Sequence, residues 1–304
     1  MDADLRLLQY FVAVAEELHF GRAAHRLYVS QPALSQQIRK LESDIGVALF
    51  VRDRRSVALT DAGSALLEPA RATLAAGAAF SIAATHQARA QRSELVVGFH
   101  TRWPDNFLPR VLRDYRDMCP HVAVHLRQFD FGDTSAGLRT GETDVALIHL
   151  PVSGEEVRYE PLWNERRVIM LADDHPLAGR DEVTIAEVLA HATSWAVPPD
   201  DDPLWRDFWS AAPERAAAGG AGVIQIQPMS QEALFQVIAG GSAVALTYAA
   251  MEQVYSPPGL RFVPVANIAP AVMAVAWRVG DSRPDVGAFV TAVCRTFSHP
   301  GDEP

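Results

Sequence analysis

The sequence predicts an α/β chain in three parts: a mainly helical amino-terminal domain with a β wing (residues 1–60), a linker helix (61–91), and a two-lobe α/β domain (94–300). Three observations predict it. Apolar residues repeat at helical spacing up to about residue 60, an Ala- and Leu-rich helical run follows, and from Glu94 short apolar runs alternate with amphipathic segments. With 304 residues, 49% apolar and 21% charged, the chain is long enough for more than one domain and too apolar for global disorder.

In the first part, Leu8, Phe11, Ala15 and Leu18 form one stripe at i, i+3, i+7 and i+10. A polar break at His19 precedes a short helix from Phe20 to Leu27, whose Ala23-Ala24 pair leaves room for a close neighbour. Tyr28-Val29 makes a tight connection. Ser30 reads as an N-cap with Pro32 in the first turn, and the third helix runs to about Ile45, where Gly46 ends it. Helix, short turn, helix can place its second member in a DNA major groove, although many all-helical domains contain such a corner. Leu49-Phe50-Val51 and Ser56–Leu59 read as strands around Arg52-Asp53-Arg54-Arg55. That hairpin tip suits backbone phosphates or a minor groove; a solvated charged turn is the plainer alternative.

Thr60-Asp61-Ala62-Gly63 opens the long helix, which extends to about Gln91, roughly 45 Å of rod at about 1.5 Å per residue. Leu59, Leu66, Ala70, Leu74 and Ala78 repeat at coiled-seam spacing, and Pro69 and Gly77 interrupt it locally. Such a stripe packs on its own domain or on a second chain; pairing is favoured because a two-fold dimer doubles the contacted half-sites. Beyond it, strands are expected at Leu95–Phe99, Val122–Gln128, Asp144–His149, Val168–Ala172, Ser194–Pro198, Val223–Ile226, Val244–Tyr248, Arg261–Val265 and Ala271–Trp277. Ligands of open α/β sheets sit outside the carboxyl ends of strands, so a cleft between two lobes is the expected binding site.

The net charge of −10 conceals a division: residues 1–93 carry eleven Arg/Lys against nine Asp/Glu, the remainder sixteen against twenty-eight. A polyanion would meet the first segment. Only Lys40 is lysine, so nearly every cation is a planar guanidinium fork, a bias that genome base composition also produces. Cys119 and Cys294 fit neither a zinc cluster nor a disulfide framework. The acidic start Asp2-Ala3-Asp4 is unlike a signal peptide, and no apolar run approaches a membrane span, so a cytoplasmic protein with no membrane partner is expected. No HExxH, GxSxG or GxxxxGK[ST] is present, and Asp200-Asp201-Asp202 reads as a solvated acidic turn; neither an enzyme nor a cofactor or metal is expected.

Leu5–Phe11, Phe20-Gly21-Arg22-Ala23-Ala24, Val29–Ile38, Leu41-Glu42, Gly46, Leu49-Phe50 and Leu59–Gly63 together closely resemble the winged helix-turn-helix of LysR-type transcriptional regulators. Weaker similarity continues through Leu108-Pro109, Asp144-Val145-Ala146, His175–Ala178 and Gly240–Ala245. The resemblance implies a homodimer joined through the linker helix, often a dimer of dimers. It also implies promoter DNA as partner, RNA polymerase as a further one, and an effector domain resembling type 2 periplasmic binding proteins. Under it the lobes are 94–165 with 268–300, and 166–267, crossed by two strands.

The resemblance assigns DNA contacts to Ser30, Gln31, Pro32, Ser35, Gln36 and Arg39. Gln pairs with adenine and Arg with guanine through two hydrogen bonds, each pair discriminating by about 1–3 kcal/mol. Pro32 offers apolar contact to a thymine methyl or simply starts the helix. Arg22, Arg52, Arg54 and Arg55 suit phosphates or the minor groove. For the effector it points to Thr101, Arg102 and Trp103 at a helix start, where N–H groups favour an anion. There Arg102 and Trp103 depart from the family's small hydroxyl. They suit an acidic, aromatic inducer, unless Arg102 pairs within its own domain. Phe129, Phe131, His149, Pro198, Pro199 and Ser230 complete the candidates, the two Phe doubling as core residues and His149 as a partner for a backbone carbonyl. The competing reading is a small-molecule-binding or enzymatic domain whose first helices serve only dimerisation.

Overall fold

A computed structural model describes residues 4–52, 56–100, 107–191, 194–197, 202–219, 222–225, 230–255 and 257–297. The chain divides into two compact units, residues 1–85 and 86–304.

The first unit contains α1 (Leu5–Glu17), α2 (Phe20–Arg26), α3 (Gln31–Ile45), the hairpin β1 (Phe50–Arg52) and β2 (Val57–Leu59), and α4 (Asp61–Gln91), whose residues from His86 onward belong to the second unit. Local chemistry sets the helix starts. Asp4 accepts the Arg6 N–H, His19 Nδ1 those of Gly21 and Arg22, Ser30 Oγ that of Ala33, and Thr60 Oγ1 that of Gly63. The apolar stripe of α1 differs from the expected one. Leu18 terminates the helix with a left-handed backbone, φ +45°, which carries its side chain off the stripe to 48% exposure, while Leu7, Phe11 and Val14 form the buried face.

The wing belongs to this core. The Phe50 ring lies 5.7 Å from Phe11 and 5.9 Å from Phe20, edge to face, and the Glu42 carboxylate accepts the N–H groups of Leu49 and Phe50. Burial of a ring such as Phe11, 1% exposed, contributes about 1.5–3 kcal/mol. Gly63 is required where α4 starts, because a Cβ there would lie 2.2 Å from the Leu49 carbonyl oxygen.

The second unit holds two lobes. In lobe one a mixed sheet runs β4–β3–β5–β12–β6: β3 (Glu94–Phe99), β4 (Ala123–Gln128) and β5 (Val145–Leu150) are parallel, and β12 (Ala271–Arg278) lies antiparallel to β5 and β6 (Val157–Glu165). Helices α5 (Phe107–Met118) and α11 (Pro284–Phe297) cover one face, with Tyr115 packed edge-on against Phe289 at 5.3 Å. In lobe two β7 (Arg167–Ala172) lies between β10 (Ala245–Tyr248) and β11 (Leu260–Pro264), and β8 (Ser194–Val197) pairs with β9 (Gly222–Gln225). Lobe two also carries α6 (Ile185–His191), α7 (Pro203–Trp209), α8 (Ala212–Ala217), α9 (Gln231–Ala239) and α10 (Ala250–Tyr255). The chain passes from one sheet to the other between β6 and β7 and returns between β11 and β12.

Strand β6, the longest of the unit, has no counterpart in the sequence-based expectations. It is an edge strand, largely exposed and carrying Arg158, Glu160 and Glu165, and Pro161 sits where its register with β12 shifts, so it lacks the alternation of a half-buried strand.

Candidate functional site

In the first unit, α3 buries Leu34, Ile38 and Leu41, which turns the intervening positions outward. Gln31, Pro32, Gln36 and Arg39 are exposed and Ser35 is half-buried. Arg39 makes no ion pair among the described residues, so its guanidinium is available for an external acceptor. Ser30 is exposed, with its hydroxyl engaged in capping. Arg22 is held at the start of α2 by Glu17, whose carboxylate lies 3.1 Å from Nε and whose backbone carbonyl accepts from Nη2. Arg52 ends β1, whereas its side chain, Arg54 and Arg55 lie outside the described residues.

In the second unit, Phe131 and the lobe-two residues Trp205, Trp209, Thr247, Tyr248 and Met251 line a small, mainly apolar pocket. Around it runs a continuous aromatic wall. His100, following β3, stacks on Phe131 at 5.5 Å and lies 6.0 Å from Trp205; Trp205 lies 5.4 Å from Trp209. His149, in β5, stacks on Tyr248 at 4.0 Å and meets Trp209 edge-on. His100 is 3% exposed, and burial depresses its pKa to about 4 even though the Asp133 carbonyl, 2.7 Å from Nε2, favours the protonated ring. A neutral ring therefore donates from Nε2 to Asp133, leaving Nδ1 buried without a partner. The indole Nε1–H groups of Trp205 and Trp209 are also buried and unpartnered. Behind Trp209, the 3%-exposed Arg167 lays its guanidinium 4.1 Å from the Phe208 ring centre and, among the described residues, donates to the carbonyls of Phe208 and Ala269.

Among the described residues, further polar contacts join the lobes at Asp202 and at the crossover. Asp202, expected to lie in a solvated turn, is instead 2% exposed. Its carboxylate caps α7 through the Trp205 N–H and accepts from Ser153 Oγ at 2.8 Å, Thr134 Oγ1 at 3.1 Å and Arg139 Nη2 at 3.4 Å, all three donors from lobe one. Burial pushes this carboxyl up, but the hydrogen bonds from Ser153, Trp205 and Thr134 outweigh it and hold the pKa below the usual range. At the crossover, Glu165 accepts the Ala250 N–H at 2.7 Å and faces His149 Nε2 at 3.4 Å.

Where α4 ends, Asp144, fully buried, accepts from Arg283 at 2.8 Å, Arg89 at 3.2 Å and the Val96 N–H at 2.7 Å, and Arg283 also pairs with Asp281. This network fastens the last turn of α4 to β3 and β5.

Of the effector candidates, Phe131 and His149 belong to the aromatic wall. Phe129 packs under Arg127 and against Gly137 in the core of lobe one, and Ser230 caps α9 through the Ala233 N–H. Thr101, Arg102, Trp103, Pro198 and Pro199 lie outside the described residues. Trp205, Trp209, Tyr248 and Arg167 are not among the sequence-based candidates, and Asp202 was expected only as part of a solvated turn. The four-residue spacing of Trp205 and Trp209 places both indoles on one face of a helix, and that was the available signal.

Residues 5–64 match the family model "Bacterial regulatory helix-turn-helix protein, lysR family", and residues 88–298 the "LysR substrate binding domain". The chain is 33% identical to the Hca operon transcriptional activator HcaR of Escherichia coli over 95% of its own length and 97% of HcaR. It is 39% identical to the HTH-type transcriptional regulator AlsR of Bacillus subtilis over 61% of each chain. A mutant OxyR of Corynebacterium glutamicum superposes with a TM-score of 0.51 at 28% identity, covering 98% of this chain and 92% of that one. These matches span both units and their named relatives are transcriptional regulators, which removes the reading of an enzyme with dimerising helices. The chain belongs to the LysR family, as a DNA-binding transcriptional regulator with a carboxy-terminal effector-binding domain.

Proposed function

We propose that two copies of this chain place α3 in successive major grooves of promoter DNA and that a small molecule held between the lobes changes how the assembly bends that DNA. The observation that carries the reading is the outward face of α3: Gln31, Pro32, Ser35, Gln36 and Arg39 stand opposite a fully apolar inner face. Gln36 and Arg39 read base edges, while Arg22, Arg52, Arg54 and Arg55 hold phosphates or the minor groove. The pairing surface is α4, on which Phe80 is 76% exposed, and pairs of dimers give a tetramer. Among the described residues no helix is long and apolar enough to cross a membrane. The protein acts in the cytoplasm, where it meets the genome and contacts RNA polymerase. Its effector is a small acid, whose anionic group Arg102 and the following helix start attract.

Genomic footprinting tests this. Protection is expected at a two-fold symmetric site with half-sites one helical turn or a multiple apart. Protection spread evenly over unrelated sequence would overturn the reading.

A further inference from the structure

The corner between α2 and α3 carries a side chain that the fold does not explain. Tyr28 is 95% exposed, the most exposed large apolar residue among those described, and neither its ring nor its hydroxyl finds a partner there. Its backbone is left-handed, φ +54°, a conformation in which Cβ crowds the main chain and which glycine or asparagine adopts at lower cost. The tyrosine thus strains the turn and recovers nothing by packing. A bulky residue held in such a conformation without a structural return points to a function. The corner itself is firmly built: the N–H groups of Tyr28 and Val29 donate to the carbonyls of His25 at 3.2 Å and Ala24 at 3.0 Å, and Ser30 then caps α3. The side chain therefore stands on a fixed backbone three residues before Gln31, at the end of α3 whose first residues meet base edges in a helix-turn-helix. From Phe20 to Leu41 the sequence holds Arg22, Arg26, Arg39 and Lys40 and no acidic residue, so an approaching phosphate meets no carboxylate of this segment.

We propose that Tyr28 donates its phenolic O–H to a backbone phosphate of the DNA strand bordering the groove that α3 enters. The contact rests on the α3 reading and adds to it an anchor that fixes the register of the helix without reading a base. Because the phenol is neutral, it displaces no counterion, and its contribution, unlike that of an arginine, does not depend on salt.

Anisotropy titrations of the full chain over a salt series, on the duplex upstream of its own gene and on an unrelated duplex, test it. Tyr28→Phe, which removes only the hydroxyl, is expected to weaken both duplexes by the same factor, at least about fivefold, and to leave the salt slope unchanged. Tyr159→Phe, a control in the second unit, changes neither. Tyr28→Gly weakens both duplexes at least as much while raising the thermal midpoint of the far-ultraviolet dichroism, because glycine relieves the left-handed strain. Unchanged affinity in Tyr28→Phe, a loss confined to the upstream duplex, a salt slope lowered by about one, or a midpoint that falls in Tyr28→Gly overturns the proposal. So does intact DNA binding by Tyr28→Gly with transcription from the promoter lost, which would give the side chain to a protein partner. Wild-type protein that does not distinguish the two duplexes would remove the α3 reading and this contact together. Discrimination lost in Arg39→Ala but affinity untouched in both Tyr28 variants would sink the contact alone.

Discussion

Acidification from pH 7.5 to pH 5 destabilises the effector domain through His100, and the structure sets the amount. Burial lowers the pKa of this histidine from its ordinary 6.5 to about 4, so the folded state binds fewer protons than the unfolded chain between those values. Its contribution to stability is fully present above pH 6.5 and is lost as the pH falls towards 4. For this pair of pKa values, the linkage relation gives a loss of about 2 kcal/mol by pH 5 and about 3 kcal/mol once both states are protonated. All six tryptophans lie between residues 103 and 277, so urea unfolding followed by intrinsic fluorescence reports this domain alone. His86 and His175, also lowered chiefly by burial, add to the slope, so the comparison is with His100→Gln, in which the titrating group is absent and the amide can still donate to Asp133. The wild type is expected to lose about 2 kcal/mol more than the variant over this interval. Equal losses would refute the argument that a neutral, buried imidazole forms the wall of the cavity.

Arg39→Ala is expected to reduce discrimination between promoter and unrelated duplex by about 1–3 kcal/mol, whereas Arg54→Ala weakens both alike and lowers the salt slope by about one; anisotropy titrations over a salt series separate the two effects. Asp144→Ala removes the fully buried carboxylate shared by the half-buried Arg89 and Arg283, leaves Arg283 its pairing with Asp281, and should cost about 3 kcal/mol in urea unfolding. Phe80→Glu places a charge on the exposed face of α4 and should shift sedimentation towards the monomer without altering the far-ultraviolet dichroism of the folded chain.

The amino-terminal elements were legible because local chemistry fixes them. Ser30, Thr60 and Gly46 act as caps through contacts within a few residues, and Phe11 and Leu34 take their faces from helical period alone. Leu18 broke the pattern because the stripe continues in the sequence one residue beyond the point where the backbone leaves the helix. In the second unit, strands buried on both faces such as Val145–Leu150 were visible as apolar runs, while the edge strand from Val157 to Glu165 was hidden by its charges and by Pro161. The site was less legible than the fold. Asp202 is buried only because Thr134, Arg139 and Ser153, some 50 to 70 positions earlier in the chain, converge on it, and no local pattern encodes that meeting. His149 and Phe131 could be placed by their position after strands, but Tyr248 and Trp209, which complete the wall, come from another lobe.

The central claim, that the amino-terminal helices read duplex DNA, is tested most directly by equilibrium binding of the full chain to the DNA upstream of its own gene and to an unrelated duplex of equal length. The account predicts at least about a thousandfold preference for the first at physiological salt, with both affinities falling steeply as salt rises. Equal, weak and salt-insensitive binding to the two duplexes by folded protein would contradict it.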